Sequence, residues 1–328
     1  MTNLKKVGLS ALAGSLVAFS AQAGELAVSG GAKLSYTADT GAQDTENDGN
    51  RFGMQRLVSF TGSGEMDNGW NVSLAHNLAM ADTPTASTST LAIDMGSMGT
   101  LTYGQGSFNM GIAKYDDVMP TADEEVSNGI STDGGEGGTA YEVNGGGNGF
   151  NYNYSSGMFT VDLGVSPGGT DAEQDDGANG GSDGAGSDTS IAVKVAPMDG
   201  LTLYAGTGNQ ISGNNSDDHD TYAITYAFGP ITAGYQKSEI DFEAAATEDA
   251  ERTQFGVAFA VNDNLSISYG EITVDFDGTK LDEEMEGISV GYSMGGMTIK
   301  AHNNEGKNMD GTADNTSEHT EIAVSFAF

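Results

Sequence analysis

Among its 328 residues the chain has no cysteine. The disulfides that staple many exported domains are therefore excluded, and stability must come from backbone hydrogen bonding and packing. Basic residues are scarce: 12 Lys and Arg stand against 47 Asp and Glu, for a formal net charge of −35. Such an anionic surface repels phosphates and excludes nucleic acid as a partner. Past the amino terminus, no segment supplies the roughly 18 uninterrupted apolar residues that a membrane helix needs. Catalytic signatures are missing as well. His76, His219, His302 and His319 are widely spaced and show no metal-ligand pattern. There is no nucleophile elbow, phosphate loop or dinucleotide fingerprint. The sequence gives no reason to expect an enzyme.

What is present begins with a secretory signal. Lys5 and Lys6 form a charged start, Val7 to Phe19 an apolar stretch, and Ala21-Gln22-Ala23 a small-residue cleavage site. Residues 1–23 read as a signal peptide and residues 24–328 as one mature domain. Cleavage removes Lys5 and Lys6 but no acid, so the mature charge becomes −37. An exported acidic chain can be a soluble protein, a disordered one or a membrane β-barrel. Disorder suits the charge imbalance, but 12 Tyr and 13 Phe recurring at alternating positions oppose it.

That alternation runs through the mature chain. Ile322, Val324, Phe326 and Phe328 alternate with Glu321, Ala323, Ser325 and Ala327. Tyr222, Ile224, Tyr226 and Phe228 alternate with Ala223, Thr225 and Ala227, and Phe255, Val257, Phe259 and Val261 with Gln254, Gly256, Ala258 and Ala260. Successive strand side chains point to opposite faces, so each segment has one apolar face and one small or polar face. Tyr154, Phe228, Tyr235, Phe276, Tyr292, Phe326 and Phe328 lie near strand ends on the apolar faces, as interfacial aromatic girdles require.

Connection lengths give a second signal. About sixteen strands can be placed, with seven short connectors such as Ser155–Gly157 and Gly229–Pro230 alternating with eight long ones. The long ones include Gly106–Asn148, Ser166–Asp188, Gly208–His219 and Asn303–Thr316. Short turns on one side and long loops on the other are the parity of an even-stranded transmembrane barrel. Hydrocarbon offers no hydrogen-bond partner, so such a sheet must close, first strand against last. Sixteen strands enclose a lumen too wide for side chains to fill, and water occupies it. The fold class is all-β: a transmembrane antiparallel barrel of about sixteen strands.

These residues resemble a known family, the general porins of the Gram-negative outer membrane, in particular those of alphaproteobacteria. The resemblance rests on the early strand Leu26-Ala27-Val28-Ser29-Gly30, the turn Gly62-Ser63-Gly64-Glu65-Met66-Asp67-Asn68-Gly69, and the run from Gly99-Thr100-Leu101-Thr102-Tyr103-Gly104 to Lys114-Tyr115-Asp116-Asp117. A terminal strand ending in Phe328 completes it. The Pro-Glu-Phe-Gly-Gly-Asp signature of enteric porins is absent, so their constriction does not transfer residue by residue. The resemblance implies an outer-membrane location, a homotrimer, recognition of Phe328 by the barrel-assembly machinery, and passive diffusion of small hydrophilic solutes and ions. It also implies that the third long loop folds inward to narrow the pore.

That loop is Gly106–Asn148, and it carries Asp116, Asp117, Asp123, Glu124 and Glu125 as candidate constriction acids. Lys33, Arg51, Arg56, Lys194 and Lys300 are the candidate basic residues of the pore wall. Lys33, Lys194, Lys300 and His302 have inward parity, as does Arg252. Arg56 shares the parity of Val58 and Phe60, which points it outward unless a bulge intervenes. The acid excess favours cation passage, through pore radius and electrostatics rather than a binding pocket. No cofactor is implied; the tract Asp175–Asp188 offers Asp183 and Asp188 as ligands for loosely held Ca²⁺, the other reading being a solvated loop. The competing functions are a substrate-selective channel on the same fold and a secreted, acidic, calcium-binding surface protein or adhesin.

Overall fold

The computed structural model describes residues 26–41, 51–80, 84–130, 148–168, 186–212, 215–244 and 247–328. The predicted signal peptide and Asp183 lie outside the described residues. Sixteen strands follow one another: β1 (Ala27–Gly41), β2 (Phe52–Glu65), β3 (Asn71–Met80), β4 (Pro84–Asp94), β5 (Thr100–Gly106) and β6 (Gly149–Ser156). Next come β7 (Phe159–Ser166), β8 (Asp188–Met198), β9 (Leu201–Ser212), β10 (Asn215–Phe228) and β11 (Ile231–Asp241). The last five are β12 (Ala250–Asn262), β13 (Leu265–Phe276), β14 (Glu283–Met294), β15 (Met297–Lys307) and β16 (Thr316–Ala327).

Each strand pairs antiparallel with its sequence neighbours, and β1 pairs with β16, which closes the barrel. The seam runs in continuous register from Gly31 opposite Ala327 to Gly41 opposite Ser317. Gly30 and the terminal Phe328 exchange backbone hydrogen bonds of 2.9 and 3.0 Å, extending the seam to the last residue. Among the described strands no edge is left bare, which removes the cost of unpaired backbone groups in hydrocarbon. Among the described residues no helix is long and apolar enough to cross a membrane; the crossing is made by strands.

The two faces follow the predicted alternation. Tyr222, Ile224, Tyr226 and Phe228 are exposed on the outside of β10, while Thr221 and Ala223 at the alternate positions are buried inside. Hairpin turns at the short-connector end use left-handed glycines, such as Gly229 and Gly295 with φ of 59° and 60°. Pro197, which cannot donate to a ladder, falls where the β8–β9 register shifts between Val195 and Met198.

Two expectations change. Residues 208–219 are not a long loop, because β9 runs to Ser212 and β10 starts at Asn215. Those strand ends carry Asn209, Asp217 and Asp218, and a strand standing in water on both faces has no apolar period to read. Phe276 is not a girdle residue. It faces inward, into an apolar cluster with Ile130, Ala250, Ile272, Val274, Met285 and Met309. Part of the barrel interior is therefore dry, filled by loop residues packed on the inner wall.

Candidate functional site: the long loop on the inner wall

Residues 107–130 of the loop after β5 lie along the inner wall, and their contacts can be followed strand by strand. It turns inward over Gly104, where an added Cβ would stand 2.0 Å from Phe108 Cγ. Gly111 N donates to Asn151 Oδ1 of β6 (2.9 Å) and Ile112 N to Ser190 Oγ of β8 (3.2 Å). Lys114 pairs with Asp162 of β7 at 2.5 Å, and Tyr115 donates to the second oxygen of that carboxylate at 3.0 Å. Asn151 and Asn153 also donate to Asp162, at 3.0 and 2.9 Å. Burial and the neighbouring Asp162 carboxylate push the Tyr115 hydroxyl above its ordinary range. Its ring lies 5.3 Å from that of Tyr204 on β9.

Farther along, Gln236 of β11 donates to the carbonyls of Tyr115 and Asp116 (2.8 and 2.9 Å) and accepts from Val118 N (3.0 Å). Ala122 N donates to Ser268 of β13 at 3.0 Å. Asp123 then meets β15: Lys300 Nζ is 3.0 Å from one carboxylate oxygen, and His302 Nδ1 is 2.8 Å from the other. Burial opposes ionisation of Asp123, but the hydrogen bonds from His302 and Lys300 outweigh it and hold the carboxyl below the usual range. Asn304 of β15 donates to the carbonyls of Glu125 and Asn128 (3.2 and 2.9 Å). The His302 ring stacks on His319 of β16 with centroids 5.3 Å apart, and His319 in turn bonds Asp39 across the seam on β1.

The wall beneath the loop is paved with glycine. A Cβ would come within 2.8 Å of Ile112 at Gly206, of Pro120 at Gly234 and, at 2.7 Å, of Val126 at Gly270; at Gly291 it would stand 2.6 Å from the Ala122 carbonyl. Small inward residues thus serve as the loop's bed as well as lining a wet lumen. The glycines at inward parity were the available signal for this packing, and composition alone could not separate the two uses.

The candidate residues fall into distinct environments. Asp116 and Asp117 are half-buried at a bend, where Asp116 accepts from Asp117 N (2.8 Å) and Asp117 from Met119 N (2.7 Å). Glu124 is exposed. Glu125 lies 3.9 Å from the buried Arg252. Asp123, a candidate constriction acid, and Lys300, a candidate basic residue of the pore wall, pair with each other, the Asp123 side chain being 3% exposed. Lys33 pairs with Glu321 of β16 at 2.6 Å. Arg51 is exposed just before β2, and Lys194 faces inward from β8. Arg56 is not on the pore wall. The β1–β2 register runs without a bulge and puts it on the outward face with Leu34 and Met54. Asp188 caps a strand end, accepting from Ile211 N at 2.7 Å. No group of metal-ligating side chains is found among the described residues.

The family model described as Gram-negative porin matches residues 8–310, most of the chain. This protein is a member of that family. No protein of curated function matches it. Solved structures match at low identity. The anion-selective porin from Comamonas acidovorans shares 13% identity over 94% of this chain and all of its own, with a TM-score of 0.67. A loop L8 deletion mutant of OmpT, an outer membrane protein of Vibrio cholerae, shares 14% over 93% of this chain and 99% of its own, with a TM-score of 0.66. A triple mutant of the Rhodopseudomonas blastica porin shares 12% over 93% and 100%, with a TM-score of 0.63. At these identities the likeness speaks for the fold. The porin is an outer-membrane β-barrel, and its family is one of channels for passive diffusion.

Proposed function

We propose that the porin passes small hydrophilic solutes and ions with a preference for cations, through an aperture between the long loop and the wall of β1–β5 and β16. The single observation behind this reading is the placement of the loop acids. Asp123 is consumed by Lys300 and His302, whereas Glu124 is exposed and Asp116 and Asp117 are half-exposed on the loop's course. On the facing wall the Lys33 ammonium is neutralised by Glu321. The balance of charge at the opening is negative, and fixed charge of one sign lining an aqueous channel with low-dielectric walls concentrates its counter-ions. The reading extends to a homotrimer in outer-membrane lipid and to recognition of Phe328 during barrel assembly. Reversal potential across a planar bilayer in a salt gradient tests it. Asp116→Asn, Asp117→Asn and Glu124→Gln together should move the potential toward zero; an unmoved potential removes these residues from the filter.

A further inference from the structure

The external loop between β15 and β16 is shorter than the sequence suggested, because β15 runs on to Lys307. Residues 308–315 fold back on the barrel instead of standing away from it. Met309 N donates to the Asn315 carbonyl (2.9 Å), and Asn315 Nδ2 donates to the Met309 carbonyl (2.8 Å). Leu281 N donates to the Gly311 carbonyl (3.0 Å), and Asn308 Nδ2 to that of Asp282 (3.1 Å), which ties the loop to the β13–β14 connection. Asn308, Asp310 and Asp314 all take positive φ, of 54°, 59° and 60°. Left-handed backbone is unfavourable for residues with a side chain, though least so for Asn and Asp. The bent backbone turns Met309 into the barrel, where it is 0% exposed.

Its neighbours give the burial meaning. Met309 packs with Ile130, which is equally buried, and with the inward Ala250, Ile272, Val274 and Met285. Both loop residues rest on the bare backbone of Gly306: a Cβ there would lie 2.3 Å from Met309 Sδ and 2.8 Å from Ile130 Cγ2. Ile130 follows Asp123, Glu124 and Glu125 along the loop. Glu124 and Glu125 are thus strung between a polar anchor, Asp123 on Lys300 and His302, and an apolar one, Ile130 on Met309.

We propose that Met309 is a positioning residue for the channel: a wedge from the last external loop that seats the long loop at Ile130 and so fixes where Glu124 and Glu125 stand in the lumen. The thioether suits an irregular gap between two loops and a wall, being unbranched and polarisable. The proposal rests on the channel reading and goes beyond it by making the last loop a second determinant of the aperture.

The test uses the full-length purified porin in planar bilayers, with heat-modifiable electrophoresis to report the folded barrel. Met309→Ala and Gly306→Ala remove the wedge by opposite means, one by emptying its place and the other by intruding on it. Both are expected to raise open-channel current noise and change single-channel conductance, while Met309→Leu keeps the wild-type trace. The wild-type recording separates the two levels: a chain that passes no current defeats the channel reading itself. A conducting wild type, with Met309→Ala and Gly306→Ala indistinguishable from it, overturns the wedge alone. If Met309→Ala fails to fold, Gly306→Ala decides. Loss of the folded barrel in both also overturns the proposal, because Met309 would then serve barrel stability and not loop position.

Discussion

Asp116 and Asp123 sit on one loop and look interchangeable in the sequence, yet their surroundings differ. Nothing local says which carboxylate reaches Lys300, since the partners meet only when β15 comes round the barrel. Once paired, Asp123 does not add to the field of the lumen, and its loss exposes a charge of the other sign. Asp123→Asn should therefore lower cation preference by leaving the Lys300 ammonium, whose side chain is 41% exposed, uncompensated. Adding Lys300→Gln should restore it. A double variant whose reversal potential matches the single one would sink this account. The stability cost of Asp123→Asn should be about 1–2 kcal/mol, discounted for solvent at Lys300. Because the folded carboxyl is held below its ordinary value of 3.8, its contribution is fully present above that pH and is lost as pH falls through the depressed value. Hydrogen-exchange protection factors across residues 120–130, from which the intrinsic pH dependence of exchange is divided out, should accordingly fall in strong acid but stay level between pH 5 and 7. A fall in protection already within that upper interval would contradict the assignment.

At the scale of elements, the strands were legible wherever lipid touches them, because the outer face must be apolar at every second residue. Phe228, Tyr226 and Ile224 announce themselves; Asp217 and Asp218, on the same strand but above the membrane, do not. The length and position of the long loop were also legible, but its bed was not, since a glycine facing water and a glycine facing a packed loop read alike. The structure separates them, and the separation can be tested on one strand. Gly234→Val would intrude on Met119 and Pro120, which already approach its missing Cβ to 3.0 and 2.8 Å, and should push the loop toward the opening and reduce conductance. Ala233→Val, on the outward face of β11, should leave conductance at the wild-type value. Equal effects from both would mean that the loop does not rest there.

For the whole molecule, the outer surface is uneven, and its unevenness bears on assembly. Counted outward from the short turns, the third lipid-side position is Ile224 on β10, Val257 on β12 and Val290 on β14. On β3, β4 and β5 the same position is His76, Ser89 and Gln105, directly opposed in register. His76 Nδ1 and Ser89 Oγ are 2.6 Å apart within this polar row. Arg56 stands on the same side, on β2. The outward parity of Arg56 was readable in the sequence; what the residue faces was not, because the covering surface belongs to another molecule in the trimer reading. An arginine facing hydrocarbon near the bilayer centre costs roughly 2–4 kcal/mol, so on bare lipid Arg56→Leu would stabilise the barrel. Covered by a second copy of the chain, the same substitution removes polar contacts at a subunit boundary and should lower the temperature at which the trimer dissociates on native-type electrophoresis, with Gln105→Leu acting in the same direction. Dissociation at an unchanged or higher temperature in both variants would place β2–β5 against lipid and move the subunit contact to another sector of the barrel.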